Sequence, residues 1–298
     1  MDPSTVAVIL NPASGAGKTL KLVPRVMEAL RAQGRPFDLH LTSRPGEGTD
    51  VARQFALDGA AVVIAVGGDG TIHEVANGLL ASGRDVPLGL VPSGHGSDFV
   101  RTAGIPKSVE EAVARACGGT TRRIDVGLAT FDDGTARHFL NVAGLGFDAE
   151  VAQRVLKTRL PGSTLPYLVA VAGALARYQN IAIDAEADGE AISEIAVFVV
   201  VANARYFAGG LQIAPMAAVD DGLLDFAVIG DFAKVELLRQ VPSVYRGRHV
   251  NHPKFFHRRA KSIRIETAQP ARIQVDGELA GSAPVTFTVV PGALCLAG

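Results

Sequence analysis

The chain has 298 residues, a formal net charge of -1, 48% hydrophobic residues and no tryptophan. This length exceeds the roughly 100–200 residues of a typical domain, so two domains are expected. The hydrophobic content excludes a disordered chain. The near-zero charge argues against a nucleic-acid-binding protein that relies on overall basicity.

Cysteines and apolar runs indicate the compartment. Cys117 and Cys295 lie far apart without metal-ligand spacing, which suits a reducing environment. The longest apolar run, residues 167–176, is far below the roughly 20 residues that span a bilayer. We therefore expect a cytoplasmic protein without a transmembrane segment, which could still make peripheral contact with a membrane.

The first half of the chain alternates short β-branched runs with helical patterns. Such alternation, with strands that are apolar on both faces, is typical of a mostly parallel sheet covered by helices. We predict a Rossmann-like α/β domain over residues 1–127. Its strands are predicted at 6–10, 37–41, 61–66, 88–91 and 122–128, and its helices at 19–33, 49–57, from Ile72 and near Val109.

After Leu128 the pattern changes to strand-like runs separated by glycine, aspartate and proline. We predict a mainly β domain over residues 128–298, whose last residues could pack back on the first domain. Helices are predicted within this domain near 149–157, 167–178 and 234–241.

A glycine-rich turn follows the third predicted strand, where residues 67–71 read Gly-Gly-Asp-Gly-Thr. Ligands of open parallel sheets bind at the carboxyl ends of strands, and a helix N-terminus attracts phosphate. Asp69 would repel a phosphate, so it indicates a bound Mg²⁺ or a hydroxyl positioned beside a nucleotide. The alternative is a tight turn in which Asp69 or Thr71 caps the following helix.

Two more loops of this kind end neighbouring strands. Residues 11–19 resemble a P-loop, but Pro12 stands where that motif requires glycine, so a true P-loop is rejected. The third loop, residues 91–99, places His95 between two glycines. Each loop alone is weak evidence, whereas three at adjacent strand ends favour a phosphate site.

A dinucleotide-binding fingerprint is a competing interpretation. Residues 142–149 fit G-x-G-x-x-A after a strand. Such a site also needs an acidic residue at the end of a second strand about 20 residues later, and none stands there. An NAD or FAD site is therefore disfavoured.

Together these segments resemble the bacterial diacylglycerol kinase and lipid kinase family, which includes relatives of sphingosine and ceramide kinases. The resemblance runs from about Val6 to Leu296 and implies an NAD kinase/phosphofructokinase-like α/β domain followed by a β-sandwich. Residues 67–71 alone are shared with NAD kinases, whereas 220–225 and 275–278 narrow the resemblance to lipid kinases. The matching segments are NPASG, GGDGT, PSGHGSDFVR, RRIDVG, NVAGLGFDAEV, DDGLLDFAVI and QVDGE.

The resemblance implies an ATP site. His95 stands where many family members have threonine, and Ser97 where they have asparagine. The implied nucleotide contacts are Asn11, Pro12, Ala13, Ser14, Gly15, Thr42, Gly68, Asp69, Gly70, Thr71, Ile72, His73, Glu74 and His95.

In the second half, the resemblance implies a structural Mg²⁺ bound by the Asp221 carboxylate and the backbone carbonyls of Ala218 and Leu223, which suits a hard cation. It also implies Glu278 as the proton acceptor, with Asp69 in the catalytic set; a positioned carboxylate is adequate for a loose phosphoryl-transfer transition state. Without the family, residues 220–225 fit an ordinary hairpin turn equally well, and residues 276–278 indicate a turn between strands.

Two features stay open. Asp125 either links the metal shell to the active site or forms a salt bridge between domains. Residues 246–261 carry arginines, lysines and two phenylalanines without an acid, and form either a membrane-docking surface or a solvated basic face. The histidines of this segment lack further ligands for zinc.

We therefore predict a kinase that transfers the γ-phosphoryl group of ATP, with Mg²⁺, to the hydroxyl of a membrane lipid, foremost diacylglycerol. The expected partner is lipid at the membrane surface and not nucleic acid, and a homodimer is left open. Two alternatives are a kinase for a soluble acceptor such as NAD, and a catalytically weak nucleotide or lipid sensor.

Overall fold

The computed structural model describes residues 2, 4–93, 97–146 and 180–298. The chain divides into two compact units. The first comprises Met1–Asp125 with Gly292–Gly298, and the second comprises Val126–Pro291.

Parallel strands form the core of the first unit, in the order β2-β1-β3-β4. The strands β1, β3 and β4 are buried along their whole length, which explains their continuous apolar sequence, whereas β2 at the edge is partly exposed. Their carboxyl ends lie at one edge of the sheet. The bounds are β1 (Val6–Leu10), β2 (Phe37–Leu41), β3 (Val62–Gly67) and β4 (Leu88–Pro92).

Helices cover this sheet, and three of them begin at positions that differ from the prediction. A 3-10 turn over Thr19–Leu22 precedes α1, because Pro24 has no N–H and fits only the first turn of an α-helix. The helix α2 begins at Glu47 and α3 at Asp69, so the glycine-rich turn is helical from its aspartate. The bounds are α1 (Val23–Ala32), α2 (Glu47–Leu57), α3 (Asp69–Ser82), α4 (Asp98–Ala103) and α5 (Val109–Cys117).

The end of the chain returns to the first unit. Leu296 pairs in parallel with Leu88, and the Gly298 N–H donates to the Thr120 carbonyl at 2.7 Å.

The second unit is mainly antiparallel β-structure. One sheet has the order β12-β11-β10-β7-β14-β15, and β16, β13, β8 and β9 pair in that order in a second sheet, in which β5 also pairs with β6 and β16. The bounds are β5 (Thr121–Phe131), β6 (Ala136–Phe139), β7 (Val142–Gly146), β8 (Ile181–Ala187), β9 (Glu190–Ala196), β10 (Phe198–Ala202), β11 (Leu224–Ile229), β12 (Phe255–Ala260), β13 (Ser262–Thr267), β14 (Arg272–Val275), β15 (Glu278–Ser282) and β16 (Val285–Ala297).

Side chains from both sheets form one apolar core in this unit. Phe139 and Phe287 meet edge to face with ring centroids 6.1 Å apart, and Phe226 is fully buried beside them. The predicted β-sandwich is therefore present.

The helix α6 (Lys234–Tyr245) lies on the second unit and extends past the predicted end at 241, with Pro242 inside it. The helices predicted near 149–157 and 167–178 lie outside the described residues. Within the described ranges, no helix is long and apolar enough to cross a membrane.

The strand β7 excludes the dinucleotide interpretation of residues 142–149. It is buried and antiparallel to both neighbours, with Gly144 opposite Val200 and Gln274. A dinucleotide fingerprint needs a parallel strand in a βαβ unit.

Candidate active site

The three predicted loops meet at the carboxyl ends of β1, β3 and β4. The Gly68 N–H donates to the Ser14 hydroxyl oxygen at 3.0 Å, and the Ser93 hydroxyl donates to the same oxygen at 3.3 Å. The Ser93 N–H also donates to the Gly67 carbonyl at 3.1 Å. One serine side chain therefore connects all three loops.

Close packing explains two of the glycines. A Cβ atom at Gly67 would lie 2.3 Å from the Thr71 hydroxyl oxygen, so only glycine fits there. Gly15 has φ +59°, and a Cβ atom on it would lie 3.1 Å from the Ser93 carbonyl oxygen. Asn11 shapes the same loop, because its side-chain oxygen accepts from the Ala13 N–H at 3.0 Å.

Asp69 binds the third loop. Its carboxylate oxygens accept from the backbone N–H groups of Asp98 at 2.9 Å and Phe99 at 3.0 Å, at the start of α4. Asp69 therefore caps a helix that follows it in the sequence, not its own helix. These two hydrogen bonds fix the orientation of the Asp69 carboxylate beside the glycine-rich turn.

Glu74 caps the N-terminus of α2, as Asp69 caps that of α4. Its carboxylate accepts from the Gly46 N–H at 2.8 Å and the Gly48 N–H at 2.9 Å. Thr42 precedes this helix and donates its N–H to the Leu10 carbonyl at 3.0 Å, which places it beside the end of β1.

Hydrogen bonds from the backbone and hydroxyl of Ser43 lower the pKa of the Glu47 carboxyl to about 2.

Four of the predicted nucleotide contacts are buried, namely Thr42 at 8% exposed and the three residues that follow Gly70 in α3. The exposed fractions of Thr71, Ile72 and His73 are 5%, 1% and 3%. Little surface of these residues, from side chain or backbone, is therefore open to direct contact with a nucleotide. His95 lies outside the described residues.

Asp125 is buried where the chain leaves the first unit, and its carboxylate accepts from the Gly292 N–H at 2.8 Å, where the chain returns. This hydrogen bond joins the segment that leaves the first unit to the segment that returns to it.

Glu278 follows a tight hairpin turn between β14 and β15. Asp276 and Gly277 have φ +49° and +89°, which defines a type I′ turn. The Asp276 carboxylate accepts from the N–H groups of Leu140 at 2.9 Å, Asn141 at 2.9 Å and Val142 at 3.0 Å. The sequence pattern predicts the turn but not these long-range bonds.

The Glu278 side chain is 48% exposed, and its carboxylate lies 3.4 Å from an Arg137 guanidinium nitrogen. Sequence reasoning did not single out Arg137. The arginine places a positive charge beside the candidate proton acceptor.

A second hairpin has the same local structure. Asp188 and Gly189 between β8 and β9 have φ +48° and +88°, and Glu190 follows them. The Asp188 carboxylate accepts from the N–H groups of Lys261 and Ser262, and Glu190 pairs with Arg258. The Asp-Gly-Glu turn is therefore not diagnostic of catalysis by itself.

Asp221 precedes β11 and is engaged within the protein. Its carboxylate accepts from the Leu223 N–H at 3.1 Å and contacts the Arg259 guanidinium. Asp225, 1% exposed, lies 2.6 Å from His257 and 4.0 Å from the Arg259 Nε. Arg259 therefore lies beside two carboxylates.

This arrangement tests the predicted Mg²⁺ ligands. A carboxylate with two backbone carbonyls fits the oxygen preference of Mg²⁺ in donor type. However, Arg259 now neutralises Asp221, and no cluster of three His, Cys, Asp or Glu residues that could hold a metal occurs among the described residues. The site therefore fits Mg²⁺ only when Arg259 moves away from Asp221.

The basic segment 246–261 is only partly available for docking. Lys254 pairs with Glu236 at 2.7 Å, Arg258 with Glu190, and Arg259 with Asp221. The guanidinium groups of Arg246 and Arg248 have no carboxylate partner in the described part of the chain.

Comparison with known proteins covers both halves of the chain. Residues 5–129 match the diacylglycerol kinase catalytic domain, and residues 141–298 match the YegS C-terminal NAD kinase beta sandwich-like domain. The diacylglycerol kinase of Mycobacterium tuberculosis is 30% identical over 97% of this chain and 93% of that protein. The diacylglycerol kinase of Bacillus subtilis is 30% identical over 94% of this chain and 91% of that protein.

A crystal structure described as that of a putative diacylglycerol kinase from Bacillus anthracis str. Sterne is similar to this one, with a TM-score of 0.79 and 26% sequence identity. The match covers 99% of this chain and 97% of that chain. These findings confirm the family resemblance and the fold, an α/β domain followed by a β-sandwich. The protein therefore belongs to the diacylglycerol kinase family and is a kinase that acts on a lipid.

Proposed function

We propose that the enzyme transfers the γ-phosphoryl group of ATP to the hydroxyl of diacylglycerol, with Mg²⁺ as the accompanying cation. The observation that carries this proposal is the meeting of three small-residue loops at the carboxyl ends of parallel strands, connected by Ser14 to Gly68 and Ser93. Ligands of open α/β sheets bind at this edge.

In the proposed complex, the phosphates lie against the loop of residues 11–15 and the first turn of α3. The first N–H groups of a helix have no partner within the helix, and the helix dipole adds positive charge there. Gly70 is exposed in that turn, and nothing lies within 4 Å of a Cβ atom built on it. The remaining contacts are those named from the family resemblance, with Thr42 and Glu74 near α2 and His95 in the third loop.

Glu278 is the proposed general base. As the bond forms between the lipid hydroxyl oxygen and the γ-phosphorus, the bond from that phosphorus to the bridging oxygen breaks and ADP leaves. The hydroxyl proton passes to the Glu278 carboxylate. The Arg137 guanidinium, 3.4 Å from Glu278, supplies positive charge close to the group that receives the proton.

Bound Mg²⁺ supplies charge neutralisation for the phosphates. Asp221, with the carbonyls of Ala218 and Leu223, would hold a separate, structural Mg²⁺ in exchange for the Arg259 contact. Asp69 orients its fixed negative charge at the glycine-rich turn, where the proposed nucleotide and its cation lie.

Radiolabelled ATP, Mg²⁺ and vesicles that contain diacylglycerol test the proposal. Parallel reactions should offer ceramide, sphingosine and NAD as acceptors. We expect label in the organic phase and the largest yield with diacylglycerol. Label on another lipid would overturn the choice of substrate, and label restricted to the aqueous acceptor would overturn the proposed reaction.

A further inference from the structure

The helix α6 has an apolar outer face. None of its 12 residues is buried, and Leu237 and Val244 on its inner side pack against a core cluster. With 3.6 residues per turn, exposed residues spaced three or four apart lie on one side of a helix. The outer residues are Val235, Leu238, Val241 and Tyr245, which are 61%, 53%, 40% and 51% exposed.

Large apolar residues concentrate on this face. Nine large apolar residues are exposed in the described part of the chain, and four of them belong to α6, namely Val235, Leu238, Val241 and Tyr245. Met216, 64% exposed, lies near the end of the same helix, because its neighbour Pro215 packs against Gly247. Exposed apolar residues that occur singly need no explanation, whereas a contiguous patch indicates an interaction site.

The exposed charged residues of α6 and of the three positions that follow it are all basic. Arg239 is exposed on the outer side, and Arg246 and Arg248 follow the last turn. None of these three guanidinium groups has a carboxylate partner among the residues that the structure describes. The single acid of the helix, Glu236, is partly buried and pairs with Lys254, so the outer side carries no negative charge.

We propose that the α6 docking face, formed by Val235, Leu238, Arg239, Val241 and Tyr245, binds the surface of an anionic bilayer. Interfacial helices combine apolar side chains that enter the acyl boundary with arginines that attract anionic headgroups. Tyrosine is enriched at this depth of a membrane. The inference rests on the proposed function to the extent that the acceptor is a lipid dissolved in that bilayer.

Charge complementarity selects the membrane over a second copy of the chain. A two-fold contact places the same patch of both subunits together. Such a contact through this face would bring together two patches that carry the same positive charge. Anionic headgroups instead supply the negative charge that this face lacks.

Vesicle flotation with the full-length protein tests the assignment. Vesicles of equal parts phosphatidylglycerol and phosphatidylcholine should bind the protein, and pure phosphatidylcholine vesicles should bind it at least tenfold more weakly. We expect Leu238→Glu to weaken binding to the anionic vesicles at least tenfold, which corresponds to about 1.4 kcal/mol. Leu57→Glu, a leucine 40% exposed at the end of α2, is the matched control and should change binding less than twofold.

Kinetics separate docking from chemistry. Leu238→Glu should lower turnover on vesicle diacylglycerol but leave turnover on a water-soluble, short-chain diacylglycerol unchanged. If the wild-type enzyme phosphorylates no diacylglycerol, the proposed function fails while flotation still measures docking. Should Leu238→Glu fold poorly, the double variant Arg239→Glu/Arg246→Glu takes its place and should remove the preference for phosphatidylglycerol.

Two results would overturn the docking face. One is equal binding of anionic vesicles by the wild type and by either variant. The other is a wild-type dimer that Leu238→Glu dissociates in sedimentation equilibrium, because the face would then be an interface between two copies.

Discussion

The hydroxyl of Ser14 and the backbone N–H of Gly68 are hydrogen bonded at 3.0 Å across 54 positions of sequence. The Ser93 hydroxyl donates to the same oxygen at 3.3 Å. The three loops at the carboxyl edge of the parallel sheet therefore share one side chain. Loss of the Ser14 side chain should therefore affect the whole proposed phosphate site and not a single loop.

Ser14→Ala should lower the free energy of unfolding by about 1 kcal/mol, because the Gly68 N–H loses its acceptor. We also expect ATP affinity to fall about fivefold, the equivalent of 1 kcal/mol. Denaturant titration and calorimetric ATP titration measure the two effects. Ser93→Ala, which keeps the bond from Gly68, is the control and should show a smaller change in both. Unchanged ATP affinity in Ser14→Ala would contradict the placement of phosphates in these loops.

The strands β1, β3 and β4 could be predicted from sequence because strands buried on both faces need uninterrupted apolar residues. Parallel strands also put their carboxyl ends at one edge, so the closeness of the three loops followed from the pattern. These parts of the fold and site depend on local periodicity and on one topological rule.

The bonds made by Asp69, Glu74 and Asp276 could not be predicted in this way. Each carboxylate accepts from backbone N–H groups at least 26 positions distant, as between Glu74 and Gly48. Helix starts and turns expose such donors regardless of their sequence, and any nearby carboxylate can satisfy them. The partner is therefore decided by tertiary packing, which a local motif does not record.

Asp69→Ala should lower both stability and activity. Removing the carboxylate leaves the N–H groups of Asp98 and Phe99 without this acceptor, so we expect a loss of about 1–3 kcal/mol in unfolding free energy. Turnover should fall at least a hundredfold, or about 2.7 kcal/mol in activation free energy.

The matched control is Asp188→Ala. Asp188 also accepts backbone N–H bonds, from Lys261 and Ser262, but lies in the second unit at the β8–β9 turn. The Asp188→Ala variant should be less stable than the wild type but should keep normal turnover under conditions where both variants are folded. Equal losses of turnover would show that Asp69 acts through the fold alone.

Glu278→Gln should remove most turnover on diacylglycerol while leaving the unfolding free energy within about 0.5 kcal/mol, since an exposed ion pair contributes little. Single-turnover kinetics with saturating ATP isolate the chemical step. Glu190→Gln offers the same Asp-Gly-Glu turn and the same arginine pairing, and should retain normal turnover. Similar rates for the two variants would mean that the base lies elsewhere.

Arg259→Gln tests the proposed exchange between arginine and Mg²⁺ at Asp221. Without the guanidinium, the Asp221 carboxylate is free of its positive partner, and Mg²⁺ should raise the Tm of this variant more than that of the wild type. Asp221→Asn should remove the Mg²⁺-dependent increase. Thermal unfolding at several Mg²⁺ concentrations measures both, with Ca²⁺ as the comparison ion. The same Mg²⁺ response in all three proteins would exclude Asp221 as a ligand.

His249 should make stability sensitive to mild acid. The residue is 6% exposed, its ring meets Phe255 edge to face at 4.9 Å, and its Nε2 lies 3.1 Å from the Ile213 carbonyl oxygen, which identifies Nε2 as the donor. Burial lowers the pKa of this histidine below 6.5, and the hydrogen bond to Ile213 opposes that shift only in part. As the pH falls through 6.5, the unfolded chain therefore binds a proton that the folded chain does not, and stability decreases.

The loss of unfolding free energy between pH 7 and pH 5.5 should stay below the limit of about 1.4 kcal/mol per pH unit that one titrating group can contribute. His249→Gln keeps an amide donor for the Ile213 carbonyl but does not titrate, so its unfolding free energy should decrease less over that interval. Denaturant titrations of both proteins at matched pH values give the difference directly, since all other titrating groups are shared. Parallel pH profiles would show that His249 binds its proton equally well in the folded and unfolded chains.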